Sequence, residues 1–189
     1  MLTVDQLSNW CESWEGFVST MVDWPCATVV DGAQWIHVTT GNQLIAVKSD
    51  EKCDALPTRH TSDRRKCLRE WLGAIPIHCV AIKLDDLRAW HGNPTDSDQD
   101  TCRTSIGWID GYPFNRYLVK HALSLIETPL VMAWWAEPGG PLMFADAENT
   151  WRVAVMPMTD DYFGKPWPTA DRPHLVLRAS WNRSKVSCR

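Results

Sequence analysis

The stretch PFNRYLVKHALSLIE, residues 113–127, followed by three short apolar runs, decides how this chain is read. Pro113 suits the first turn of a helix, where a missing N–H costs nothing. Phe114, Tyr117, Leu118, Ala122 and Leu125 recur at spacings of three and four and form a buried stripe. Arg116, Lys120 and Ser124 stand four apart on the opposite face. The spacing therefore predicts a helix from Phe114 to Ile126. The apolar runs Leu130 to Ala136, Pro141 to Ala145 and Trp151 to Met156 read as strands. Their connectors, Glu137-Pro-Gly-Gly140 and Asp146-Ala-Glu-Asn149, have hairpin chemistry.

The N-terminal half repeats that order. Leu7, Trp10, Cys11, Trp14, Phe17, Val18 and Met21 give an amphipathic helix from about residue 4 to 21, broken by Trp24-Pro25. A strand from Ala27 to Val30 turns at Asp31-Gly32 into Gln34 to Thr40, and Gly41-Asn42 leads into Gln43 to Lys48. Between the halves, Ser62 caps a helix running to Leu72 with Gly73 after it. A strand from Ile75 to Lys83 and a short helix from Leu84 to His91 follow, then a loop over residues 92–105 and a strand from Ser105 to Asp110. Helix plus three-strand meander thus occurs twice, at a period of roughly 100 residues. The expected fold class is α+β, with two helix-plus-three-strand halves and their helices on one face of an antiparallel sheet.

Composition bounds the function. The 189 residues carry a net charge of −4, unevenly spread. Residues 162–189 hold six basic side chains against Asp171 alone, a local +5, so the rest of the chain carries −9. A protein of that balance does not coat itself in nucleic acid, but it can present one basic face. Seven cysteines without a CxxC spacing are expected to be reduced thiols. No apolar run approaches the ~20 residues of a membrane span, and no secretory leader is recognisable, so a cytoplasmic protein is expected.

Two stretches resemble bacterial β-type DNA sliding clamps. In DGAQWIHVTTGNQLIAV, residues 31–47, the positions Val38, Thr39, Thr40, Gly41, Asn42, Gln43 and Leu44 match the family's strand–turn–strand. In the C-terminal half, Phe114, Asn115, Tyr117, Leu118 and Leu123, then Val155, Met156, Pro157 and Met158, match the family's last helix and final strand. The matches cover less than half of the chain, and a clamp subunit has three such domains where this chain has room for one. The resemblance implies one clamp-like domain over residues 1–158, with a helical insertion at about 50–75 and a basic, proline-containing extension over 159–189. It implies a non-enzymatic scaffold that contacts or encircles duplex DNA without reading its sequence. A ring or head-to-tail oligomer would be needed, and polymerases or other clamp-binding proteins would dock on it. By the same resemblance Thr39, Gly41, Gln43, Leu44, Met156, Pro157 and Met158 build a surface pocket for a partner's peptide. Arg88, Arg116 and Lys120 face DNA. Arg64, Arg65 and Lys66, in the densest basic cluster of the chain, are further candidates.

Catalytic signatures are missing from the sequence. No phosphate-binding glycine motif, HExxH or GxSxG occurs, and the chain is expected to be neither an enzyme nor a cofactor carrier. Cys53, His60, Cys67, His78, Cys79 and His91 follow no zinc spacing. The competing reading is a small phage or mobile-element protein that inhibits one protein target and never touches DNA. Twelve tryptophans sharpen the matter. Trp134 and Trp135 are neighbours on a strand, so one must face each way. An apolar sheet face beyond the helix-facing core then needs cover, and a partner or sister subunit is the expected one.

Overall fold

The computed structural model describes residues 3–12, 23–40, 42–49, 62–73, 79–92, 105–136, 139–158 and 172–177. The chain forms α1 (Val4–Glu12), β1 (Asp23–Val30), β2 (Ala33–Thr39), β3 (Gln43–Ser49), α2 (Ser62–Gly73), β4 (Val80–Lys83) and α3 (Leu84–His91). There follow β5 (Ile106–Ile109), β6 (Tyr112–Asn115), α4 (Arg116–Ala122), β7 (Leu130–Trp135), β8 (Leu142–Ala145), β9 (Trp151–Val155) and β10 (His174–Leu175). Seven strands make one antiparallel sheet in the order β1-β2-β3-β9-β8-β7-β4. A small sheet has the order β10-β5-β6, with β10 parallel to β5.

The two predicted meanders, β1-β2-β3 and β7-β8-β9, lie side by side and meet where β3 pairs with β9. The first turns at Asp31-Gly32, where both residues have positive φ, 51° and 79°. Alternation then assigns every side chain to a face. Ile45, Val47, Val153, Val155, Leu142 and Phe144 point into one core. Leu44, Ala46, Ala154, Met143 and Ala145 point into a second core on the opposite face.

Helices do not follow the strand symmetry. α1 packs on β1 and β2, whereas α4 packs chiefly on β3 and β9. The two helices are neighbours on the first face: Trp10 Nε1 donates to the His121 carbonyl at 3.0 Å, and the two rings sit 4.9 Å apart. Gln43, fully buried at the start of β3, donates its amide to the Leu118 carbonyl and ties α4 to the sheet. Leu84, Leu87 and Trp90 of α3, with Ile109, Phe114 and Leu177, complete this core.

Several expectations are corrected. Helices do not lie on one face only, because Leu68 and Leu72 of α2 pack into the second core with Trp35 and Trp134. The segment expected as an insertion is therefore a layer of the fold, which becomes helix, sheet and helix. The helix predicted from Phe114 begins at Arg116. Pro113 and Phe114 are strand residues paired with Trp108 and Gly107, and Asn115 caps α4 by accepting from the Tyr117 N–H at 2.9 Å. The overlooked signal was Asp110-Gly111, whose φ values of 52° and 83° make a tight hairpin where a strand was expected to end. The first helix is described only to Glu12, and its predicted continuation to residue 21 lies outside the described residues.

Residues 172–177, within the expected extension over 159–189, pack against the small sheet and the first core. The Trp108 N–H donates to the Pro173 carbonyl, the Asp110 N–H to the Leu175 carbonyl, and Leu177 is buried in the first core. Asp110 is the clasp: its carboxylate accepts the Leu177 N–H at 2.7 Å and the Trp135 indole N–H at 2.9 Å. Replacing it by Ala removes both acceptors and puts a β-carbon residue at positive φ without its polar compensation. Asp110→Ala is expected to cost about 2–4 kcal/mol in urea unfolding, and Asp110→Asn clearly less. A second test uses Gly107, where an added Cβ would come within 2.6 Å of the Trp90 ring. That ring is pinned through its N–H to the Pro173 carbonyl, so Gly107→Ala should destabilise by about 1–3 kcal/mol.

Candidate functional site

A group of charged side chains stands where α3 meets α4. α3 begins with Asp85 and Asp86 in its first turn, which suit the positive end of the helix dipole. It ends with Arg88 and His91 in its last turn, at the negative end. α4 follows the Asn115 cap and carries Arg116 and Lys120. Arg116 is half-buried; its main-chain N–H donates to the Ser105 carbonyl at 2.7 Å and its Nη1 to the His91 carbonyl at 3.2 Å. Arg88 is exposed and reaches Asp85 on its own helix at 3.2 Å.

His91 is the point on which these groups converge. It is 7% exposed, and its Nδ1 lies 2.7 Å from the Gly92 carbonyl, so that nitrogen carries the proton of the neutral ring. Burial is the main cause holding its pKa below the usual imidazole value. The bond to Gly92 opposes this, while Lys120, Arg88 and Arg116 add repulsion in the same direction as burial. Arg88 is paired with Asp85, so Arg116 and Lys120 are the cations that this corner of α3 and α4 adds beside the neutral imidazole.

The six expected DNA-facing residues fall on helices of two different layers. Arg88, Arg116 and Lys120 come together on α3 and α4. Arg64, Arg65 and Lys66 lie on α2, on the far side of the sheet. The expected peptide pocket is brought together in the backbone and largely closed in its side chains. The Met156 N–H donates to the Asn42 carbonyl at 2.9 Å and the Met158 N–H to the Pro113 carbonyl at 2.8 Å. Thr39 is buried and donates to the Gln43 carbonyl at 2.7 Å; Gln43 and Leu44 are fully buried, Leu44 toward α2. What this cluster offers a ligand is the half-buried Met156, Pro157 and Met158. Gly41 lies outside the described residues, as do Cys53, His60 and His78 of the unpatterned zinc set. Among the described residues no three His, Cys, Asp or Glu side chains converge as a metal site.

A second cluster escaped the sequence reading. On the α2 face, Arg152 is 5% exposed, with its guanidinium carbon 5.3 Å from the Trp35 ring and 5.7 Å from the Trp134 ring. It donates through Nη1 to the Trp71 and Leu72 carbonyls, at 3.0 and 2.6 Å, and through Nε to Asn149 at 2.7 Å. Burial lowers its pKa from the ordinary guanidinium value. The signal was present in WRVAV, residues 151–155: one arginine amid apolar strand residues is a buried charge or a bulged strand.

Together these features define an α+β protein with charged side chains gathered on α3 and α4 at one sheet face and a caged arginine beneath α2 at the other. No protein-family model, curated protein or solved structure matches the chain. Among the described residues no helix is long and apolar enough to cross a membrane.

The His91 environment has a pH signature. Its pKa is lower in the folded chain than in the unfolded one, so the unfolded state binds more protons in the window below about pH 6.5. The stability it confers is complete above that value and is lost as pH falls toward the folded pKa. Urea midpoints measured from pH 7.5 to 5 should fall with acidification, and His91→Gln should flatten that slope. An equal slope in the variant would place the titration elsewhere.

Proposed function

We propose that this chain is a non-enzymatic, clamp-like scaffold that contacts duplex DNA through the α3–α4 patch and recruits a partner protein at Met156–Met158. The observation that carries the reading is the packing of α3 against α4, which sets Arg88 and Lys120 on adjoining helices and brings the Arg116 guanidinium to the His91 carbonyl. Such residues meet phosphates by charge and need not read bases. Support also comes from the paired meanders joined at β3 and β9, with α1 and α4 side by side across one sheet face. The resemblance of two stretches to sliding clamps adds a fold-level analogy and no more.

One domain does not close a ring. Encirclement requires self-association through a heterologous interface, and the terminal strands of the large sheet, β1 and β4, are its natural ends. Met156, Pro157 and Met158 suit a peptide pocket because an unbranched thioether adapts to varied ligand side chains.

Binding to a 30-base-pair duplex should weaken steeply with salt. Arg88→Ala and Lys120→Ala should each reduce the log–log salt slope by about 0.9, since each removes one phosphate contact. Absence of duplex binding at low salt would overturn the DNA reading and favour the protein-inhibitor alternative. Mass in solution tests the ring: a strict monomer with and without circular DNA would exclude encirclement. Met156→Ala with Met158→Ala should abolish partner capture while costing no more than about 1.5 kcal/mol of unfolding free energy each, because both side chains are only half-buried.

A further inference from the structure

The small sheet turns one of its faces away from α3. Gly107 of β5 faces the Trp90 ring, which an added Cβ would approach to 2.6 Å. Trp108 is the next residue of that strand, so its side chain stands on the other face. There it lies beside His174, its partner in register on β10. The indole and imidazole rings are nearly parallel, at 9°, with their centroids 6.1 Å apart. Trp108 is part-exposed and His174 is exposed.

β10 is an end strand of this sheet, so among the described residues the rank of rings stops at His174. The segment alternates in its exposure: Val176 is 61% exposed and Leu177 is 2% exposed. A flat aromatic ring set against the open side of His174 would continue the stack that Trp108 begins, because offset parallel rings attract one another.

Charge supplies the second half of the argument. Arg172 stands two residues before His174 and Arg178 four residues after it. Residues 162–189 hold six basic side chains against Asp171 alone, in a chain whose net charge is −4. Rings that end in an open stack, set in the most basic stretch of an acidic chain, complement an unpaired nucleotide strand. Its bases offer π-faces to the rings and its phosphates meet the cations. A duplex keeps its base faces stacked on one another and has no use for the rings.

We propose that Trp108 and His174 form a stacking platform for an unpaired base, and that this face of the small sheet binds single-stranded nucleic acid, with Arg172 at a phosphate. The platform lies on the far side of β5 from α3 and does not depend on duplex binding at the α3–α4 patch.

The test uses the full chain. A labelled oligothymidylate of about 15 nucleotides and an abasic strand of equal length are titrated by fluorescence anisotropy at about 50 mM salt. The thymidylate should bind about tenfold tighter than the abasic strand, the worth of one stacked base. His174→Ala and Trp108→Ala should each remove most of that difference and leave abasic binding unchanged. His174→Phe, which keeps a ring, should retain it. His174 is exposed, so His174→Ala should leave the urea midpoint in place and report stacking alone. Arg172→Ala should lower the log–log salt slope by about 0.7 for both strands. Arg88→Ala with Lys120→Ala should leave thymidylate binding as it is, so a failure of the duplex reading and a failure of this one are told apart. Equal affinity for the two strands, thymidylate binding unchanged in His174→Ala, loss of thymidylate binding in the Arg88 and Lys120 variant, or no binding of either strand would each overturn the proposal.

Discussion

Everything in this fold rests on the pairing of β3 with β9. Gln43 lies opposite Val155 and Val47 opposite Trp151, so two segments more than 100 residues apart in sequence share one ladder. These central strands have both faces buried, and their residues alternate between two cores: Ile45, Val47, Val153 and Val155 toward α1 and α4, Leu44, Ala46 and Ala154 toward α2. A slip of one residue would exchange the two sets and bring the Arg152 guanidinium under α4. The register is thus held by apolar shape on both sides and by a charge that fits one side only.

The two faces solve the tryptophan problem differently. Trp135 turns to the first core and meets Tyr112 and Phe114, with its indole N–H satisfied by Asp110. Trp134 turns to the second and joins Trp35 around Arg152. For these two residues the cover is α2, within the segment that the clamp resemblance marks as an insertion. Burying a guanidinium between two indoles and a helix C-terminus is costly unless its donors are met, and α2 is the element that meets them. The helix layer is likewise completed from an unexpected place, since residues 172–177 close it through β10 and Leu177.

Legibility in the sequence followed the range of the interaction concerned. β7, β8 and β9, the Leu84–His91 helix and the Asp31-Gly32 hairpin could be read because each is announced within a few residues, by periodicity or by turn chemistry. β6 is hidden in the sequence because Phe114 and Asn115 continue the helical spacing of α4 and mask the competing Asp110-Gly111 turn. Of the candidate site, Arg116 and Lys120 were legible as one face of a helix. Their convergence with Arg88 on His91 was not, because it depends on how α3 packs against α4. Gln43 and Leu44 were read as pocket residues on resemblance, and their burial follows from α4 and α2 lying over the two faces of β3.

By itself the sequence determined the doubled meander, the α+β class and the helical spacing of Arg116 and Lys120. These depend on spacings of two, three and four residues, which physical periodicity translates directly. Only the tertiary structure decided which meander edges meet, that α2 crosses to the far face, that the tail re-enters the fold and that Arg152 lies caged between two tryptophans. Those outcomes depend on apolar faces finding complementary cover across long stretches of chain, and no local pattern encodes the identity of the cover.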